Sequence, residues 1–221
     1  GPGVTTADLD RIAREELHRR EAQPSFLGYY GYPAVICTSV NDEVVHGIPG
    51  ERPLQEGDII SIDFGAIVDG WHGDSAVTIH VGSPRPDNVV LSDVTRAAMW
   101  AGLAAAVEGN TIGDIGHAVE TTVHAAGNFG ILQEYVGHGI GTRMHMDPAV
   151  PNFGEPGRGM ALRVGMALAV EPMVVLGSNQ VHTLDDEWTV VTDDGSHASH
   201  WEHTVAITER GPWVLTSLDG A

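Results

Sequence analysis

The stretch IISIDFGAIVDGWHGDSAVTI, residues 59–79, alternates in the manner of a two-stranded hairpin. Ile60, Ile62 and Phe64 fall on one face and Asp63 on the other. Asp69-Gly70, flanked by Val68 and Trp71, is a strong two-residue hairpin signal. If Val68 pairs with Trp71, then Asp63 pairs with Ala76 and Gly65 with Asp74. Asp63 and Asp74 are then diagonal neighbours on one face. Two carboxylates inside an apolar hairpin are costly unless something positive lies between them, and a divalent cation satisfies both.

The rest of the chain repeats this pattern. Gly3–Leu9 resembles Gly109–Ile115, and each opens a helix. Gly57–Asp63 resembles Gly165–Glu171, and His72–Ile79 resembles His200–Ile207. His46-Gly-Ile-Pro49 resembles His145-Met-Asp-Pro148. Four matches in the same order imply two similar halves and a pseudo-twofold fold. Asp63 and Asp74 then fall on Glu171 and Glu202. Four carboxylates in one cavity cannot all stay ionised without cations. Carboxylate and imidazole donors suit Mn, Fe, Co or Zn, and a shared set of bridging acids suits two ions.

The bulk composition sets limits. A chain of 221 residues with 42% hydrophobic content and 28 glycines has enough apolar sequence for a large, turn-rich α/β or α+β core. Eleven basic against 30 acidic residues give a net charge of −19, which argues against nucleic-acid binding and against an anionic membrane surface. No apolar run approaches the roughly 20 residues of a membrane span, and no signal peptide opens the sequence. The single cysteine, Cys37, excludes an internal disulfide and favours a reducing compartment.

Helices are expected from Thr5 (stripe Leu9, Ile12, Ala13, Leu17), from Ser92 to about Val107, and from Thr111 to Gly127. Strands are expected at Ala34–Val40, Glu43–His46, Gly165–Leu176 and His200–Thr208, with loops at Pro24–Pro33, Gly82–Asn88 and Met146–Gly159. Glu171 on a small-residue strand and Glu202 among Trp201, Val205 and Ile207 are candidate ligands or catalysts. His138, within Gly137-His-Gly-Ile-Gly141, sits where glycines let backbone approach a ligand. His46 and His145 are paired by the repeat and read as functional. His72, His200 and His203 flank the acids and read as supporting or exposed, and the other histidines as surface. Cys37 lies in an apolar run with no basic neighbour, which is the setting of an inert thiol.

The motifs LGYYGYP, SVNDEVVHGIP, SIDFGAIVDGWHGDSA, GHGIGTRMHMDP, EPM and WTVVTDDGSHASHWEHT resemble those of the type I methionine aminopeptidases, across nearly the whole chain. That resemblance implies the pita-bread α/β (α+β) fold, a curved antiparallel sheet covered by helices. It implies one catalytic domain over residues 1–221, with halves of about 3–108 and 109–221 and without the helical segment that precedes this stretch in the family. Asp63, Asp74, His138, Glu171 and Glu202 match the ligands of two divalent metal ions, with Asp74 and Glu202 bridging. His46 and His145 match the histidines that contact the scissile peptide, and Glu171 the proton carrier. Phe26, Tyr29, Tyr32, Cys37, Met144 and Trp188 match the methionine pocket, whereas Tyr30 stands where the family often has a smaller or imidazole side chain. The implied activity is removal of N-terminal methionine before a small second residue. The partners would be nascent chains or peptides beginning with Met, and the ribosome for a co-translational role, with a monomeric enzyme in the cytoplasm. The alternative is a non-catalytic module of the same fold that binds peptide N-termini.

Overall fold

The computed structural model describes residues 1–218. Helix α1 (Thr6–Arg19) leads into β1 (Gln23–Pro24), a 3-10 turn at Tyr29–Gly31, and strands β2 (Cys37–Val40) and β3 (Glu43–Val45). The central hairpin is β4 (Ile59–Val68) and β5 (Trp71–His80), followed by helices α2 (Pro86–Ala105) and α3 (Ile112–Ala126). The second part holds β6 (Gly130–Ile131), β7 (Gly137–Gly139), β8 (Met146–Val150), β9 (Ala167–Val170) and β10 (Met173–Val175). It ends with β11 (Val181–Thr183), β12 (Val190–Thr192), β13 (Ala198–His200), β14 (Glu202–Thr208) and β15 (Gly211–Val214).

The hairpin has the expected register: Val68 faces Trp71, Asp63 faces Ala76 and Gly65 faces Asp74. Asp69 and Gly70 both have positive φ, 51° and 83°, the geometry of a type I′ turn. The main sheet runs β1-β4-β5-β14-β9-β7-β8, antiparallel throughout, with β2 on β4 and β15 on β14. The first hairpin therefore joins the second β-pair at the β5–β14 seam, where Glu202 faces Ala76. Ala76 thus has Asp63 on one neighbouring strand and Glu202 on the other. One register step beyond the pair His203–Val170 lie Glu202 and Glu171.

Hydroxyl groups fasten this seam. Thr204 Oγ1 donates to the Asp74 carbonyl at 2.8 Å and accepts the Asp74 N–H at 3.0 Å. Ser61, Thr78 and Ser199 form a buried chain of hydroxyls at 2.9 and 3.0 Å, and the His200 N–H donates to the first two. On the other side of the sheet α2 and α3 bury Leu91, Met99, Leu103, Ile115 and Val119 against Leu168, Val170 and Val205. Gly102 sets the spacing of the helices, since a Cβ there would lie 2.8 Å from Val119 Cγ2.

The helix ends divide by mechanism. Thr5 and Thr111 cap α1 and α3 through reciprocal bonds with Asp8 and Asp114. Helix α2 begins at Pro86, earlier than Ser92, because proline is preorganised for the first helical position. Ser92 is buried inside the helix, where its hydroxyl accepts the Trp201 indole N–H at 3.0 Å. Ile12 is 48% exposed, and the inward position is taken by Asp10. Asp10 Oδ1 accepts the Val35 N–H at 2.7 Å, and Oδ2 holds Arg14 Nε at 2.6 Å. Asp10→Ala strands a buried N–H. It is expected to cost about 2 kcal/mol and lower Tm by roughly 4–8 °C in a calorimetric melt.

Two further expectations change. Met146–Val150 is a strand, because β7 offers it a partner, with His138 facing Ala149. The expected long strand Gly165–Leu176 is split into β9 and β10 by Glu171-Pro172, since proline lacks the N–H that would continue the ladder.

Candidate metal and peptide site

The site lies where the two β-pairs meet. Asp63 and Asp74 come from the first hairpin, Glu171 from the break after β9, Glu202 from the start of β14 and His138 from the middle of β7. All five are buried, with Glu202 fully enclosed. Gly137 allows β7 to approach, because a Cβ there would run into the Ala169 carbonyl. The cavity above them has a volume of about 220 Å³. It is lined by Phe26, Tyr29, Tyr32, Cys37, His46, Met144, His145 and Trp188 as well as by the five. Every residue expected at the site from the sequence therefore borders one space. Val45 and Tyr30 border it too. Tyr30 is 85% exposed at the rim, and Val45 was hidden from sequence reading by its place in an ordinary apolar strand.

The electrostatics are those of a cage built for cations. Burial raises the pKa of Asp63, Asp74, Glu171 and Glu202, and the mutual repulsion of the carboxylates adds to it for Asp63, Glu171 and Glu202. Asp63 Oδ1, Asp74 Oδ1 and both oxygens of Glu202 are buried without a hydrogen-bond partner. Oxygen atoms in that condition are rare in folded proteins and call for a positive partner. His138 Nδ1 lies 2.9 Å from the Gly139 carbonyl. A carbonyl only accepts, so Nδ1 holds the proton and the Nε2 lone pair faces the acids, the arrangement of a metal-binding imidazole. His138 Nε2 is 3.5 Å from Glu171 Oε1. That spacing is close to the chord of about 3.4 Å between two donors sharing one cation with bonds near 2.1 Å. Donor atoms of Asp74, His138 and Glu202 lie within 4.8 Å of one another, and so do those of Glu171, His200 and Glu202. Glu202 belongs to both groups. The residues fit divalent metal.

Of the histidines that flank the acids in sequence, His200 lies against them. It is 1% exposed, and its Nε2 is buried without a hydrogen bond, 3.6 Å from Glu171 Oε2. Its signal was the His-x-Glu spacing, which puts His200 and Glu202 on one face of an extended chain. His72 and His203 turn elsewhere, to Ser25 at 2.9 Å and Thr216 at 2.8 Å.

His145 and His46 also line the cavity above the carboxylates. The His145 ring packs edge-on to His138 with centroids 4.3 Å apart, and its Nδ1 lies 2.9 Å from the Tyr29 hydroxyl. His46 has φ 61°, a strained backbone for a residue with a Cβ, and sits edge-on to Tyr135 and Trp188. Burial lowers the pKa of His46 and His138 to about 4 each, and that of His145 below its usual value. All three are therefore neutral at pH 7. Cys37 is buried with its thiol pushed up by burial and by Asp63, which leaves it inert as a nucleophile. Phe26 reaches the cavity across Gly65, where a Cβ would meet its ring at 2.7 Å.

A cage of buried carboxylates and imidazoles under a small apolar cavity defines a metal-dependent hydrolase centre. The comparisons with known proteins agree. The chain matches metallopeptidase family M24 over residues 1–209 and belongs to that family. It is 53% identical to methionine aminopeptidase 1 of Mycobacterium tuberculosis, over 97% of this chain and 83% of that one. It is 50% identical to methionine aminopeptidase 1 of Bacillus subtilis, over 98% of this chain and 87% of that one. Among solved structures, methionine aminopeptidase from Thermotoga maritima superposes with a TM-score of 0.95 at 44% identity, covering 98% of this chain and 87% of that one. The fold is the pita-bread fold that the family resemblance implied, and it agrees with the internal repeat. Among the described residues no helix is long and apolar enough to cross a membrane.

Proposed function

We propose that this chain removes N-terminal methionine from peptides and nascent proteins, with Asp63, Asp74, His138, Glu171 and Glu202 holding two divalent metal ions. The observation that carries the reading is the placement of the carboxylate cage at the base of a small cavity walled by aromatic rings and sulfur. An unbranched thioether fits such walls, since sulfur–aromatic contacts add to apolar burial. A cavity of about 220 Å³ has room for a methionine side chain. Co, Mn, Fe and Zn all accept this donor set.

Bound divalent metal supplies a water of lowered pKa and a Lewis acid for the carbonyl. The chain's own residues do the rest. Glu171, whose carboxylate lies at the base of the cavity, takes the proton from the attacking water and delivers it to the leaving amine. His145 presents Nε2 to the substrate because Nδ1 is engaged by Tyr29. The role assigned to His145, donating from Nε2 to the carbonyl oxygen as negative charge grows there, requires the Tyr29 hydroxyl to be the donor to Nδ1. His46, neutral and held between Tyr135 and Trp188, hydrogen-bonds the scissile amide. The polar edges of the cavity fix the peptide while Phe26, Tyr32, Met144 and Trp188 enclose the methionine side chain.

Tyr29→Phe removes the bond that sets the His145 tautomer. A loss of about 1 kcal/mol in transition-state stabilisation, roughly fivefold in kcat with KM little changed, is expected in steady-state assays. The reading as a whole is tested by methionine release from a Met-Ala-Ser peptide, comparing chelated protein with protein resupplied with Co, Mn, Fe or Zn. Metal-restored release is expected. Metal binding without release would overturn the catalytic reading in favour of a module that binds peptide N-termini.

A further inference from the structure

We propose that His200 is a sixth donor of the cage, its Nε2 binding the cation held by Glu171 and Glu202. The inference rests on the five-residue metal reading above and adds a donor to it.

His200 has no other employment for this atom. Its backbone is fully used: the N–H donates to Ser61 Oγ at 3.0 Å and Thr78 Oγ1 at 3.1 Å, and the carbonyl accepts from Thr78 Oγ1 at 2.8 Å. Pairing of β13 with β10 sets His200 opposite Met173, two residues past Glu171. The imidazole is thus held rigidly at the inner end of the cage, 1% exposed, with Nε2 unpartnered. An isolated buried polar nitrogen is costly. The neighbouring carboxylate does not relieve it, because 3.6 Å to Glu171 Oε2 is too long for a hydrogen bond. It is close to the spacing of about 3.4 Å between two donors on one cation. Donor atoms of Glu171, His200 and Glu202 also fall within 4.8 Å of one another, as do those of Asp74, His138 and Glu202. The repeat sharpens the contrast. His72 holds the equivalent place before Asp74, yet it is tied to Ser25. One half of the molecule has turned this histidine outward, and the other has turned it in.

An added imidazole changes which metal the site prefers. Nitrogen donors favour Co and Zn over Mn, whereas an all-oxygen set does not discriminate as strongly. The chain should therefore bind Co more tightly relative to Mn than it does once His200 is replaced by an oxygen donor.

The test uses the whole chain, stripped with chelator and titrated with Co(II), with proton NMR of the paramagnetically shifted imidazole N–H signals. Two such signals are expected in the unaltered protein, one lost in His138→Gln and the other in His200→Gln. Calorimetry should show His200→Gln weakening Co binding by about tenfold or more, with Mn binding changed severalfold less. The signal count in the unaltered protein decides the matter even if a variant folds poorly. One signal that disappears in His138→Gln, with Co affinity intact in a folded His200→Gln, overturns the role of His200 and leaves the five-residue reading standing. Absence of any shifted signal overturns both. A change in the pH profile of turnover by His200→Gln without a change in metal affinity or signal count would make His200 a hydrogen-bonding neighbour of Glu171 and likewise overturn ligation.

Discussion

Glu171→Gln is expected to lower kcat for methionine release by about 10²–10⁴-fold, the range spanned by loss of a positioned proton carrier. The glutamine side chain has the same length and fills the same space. The Asn152 side chain, which donates to the Glu171 carbonyl at 3.2 Å, is untouched. The break at Pro172 that aims residue 171 into the cavity also persists, so the geometry survives and the chemistry does not. An amide cannot take the proton of the attacking water, and its contacts with His138 Nε2 and His200 Nε2 lose their charge. Saturating metal during the assay separates the proton-transfer defect from weaker metal binding. A melt of the metal-free variant separates both from misfolding. Because a buried carboxylate is replaced by a neutral group of similar volume, that variant should melt no lower than the metal-free parent. Wild-type kcat in the variant would remove Glu171 from the reaction.

The same residue shows what is legible in a linear sequence. Asp63 and Asp74 are legible from the sequence, because an Asp-Gly turn fixes register and register fixes faces. Glu171 and Glu202 followed from the repeat. The structure brings all four to one cavity, along with the histidines read from glycine context and from the paired His-x-x-Pro turns. What the sequence did not carry was set by tertiary partners. Strand β8 exists because β7 lies beside it, and its own residues, Met-Asp-Pro-Ala-Val, look like loop. Helix α1 turns Asp10 inward and leaves Ile12 half exposed because the Val35 N–H needs an acceptor there. His72, His200 and His203 are alike in sequence, each within two residues of an acid. Only the positions of Ser25 and Thr216 show that two of them are occupied elsewhere. A repeat conveys that two halves share a backbone, and it does not convey where each half spends its polar side chains.

Stripping the metal should cost the protein stability, and the cost should grow with pH. The sign follows from two opposed sets of groups. Asp63, Asp74, Glu171 and Glu202 have folded pKa values raised by burial. Their contribution is fully favourable below the ordinary carboxylate pKa of about 4 and is lost as pH rises through the raised values. His46 and His138 are depressed to about 4 and His200 to about 3, again chiefly by burial. Their contribution is present above the ordinary imidazole pKa of about 6.5 and is lost as pH falls through the depressed values. The metal-free protein is therefore squeezed from both directions. Cations relieve the alkaline side, because ionised carboxylates become their ligands, and binding must displace the protons those carboxylates hold. The melting temperatures of loaded and stripped protein should separate progressively between about pH 5 and pH 8. With free metal at about a thousand times Kd the difference is roughly 4 kcal/mol, or about 8–16 °C for a chain of this size. Calorimetric titrations in two buffers of different ionisation enthalpy should show net proton release at pH 7. A temperature gap that stays constant or narrows as pH rises, or metal uptake with no proton release, would mean that the four carboxylates do not share the cation site and that their burial has another purpose.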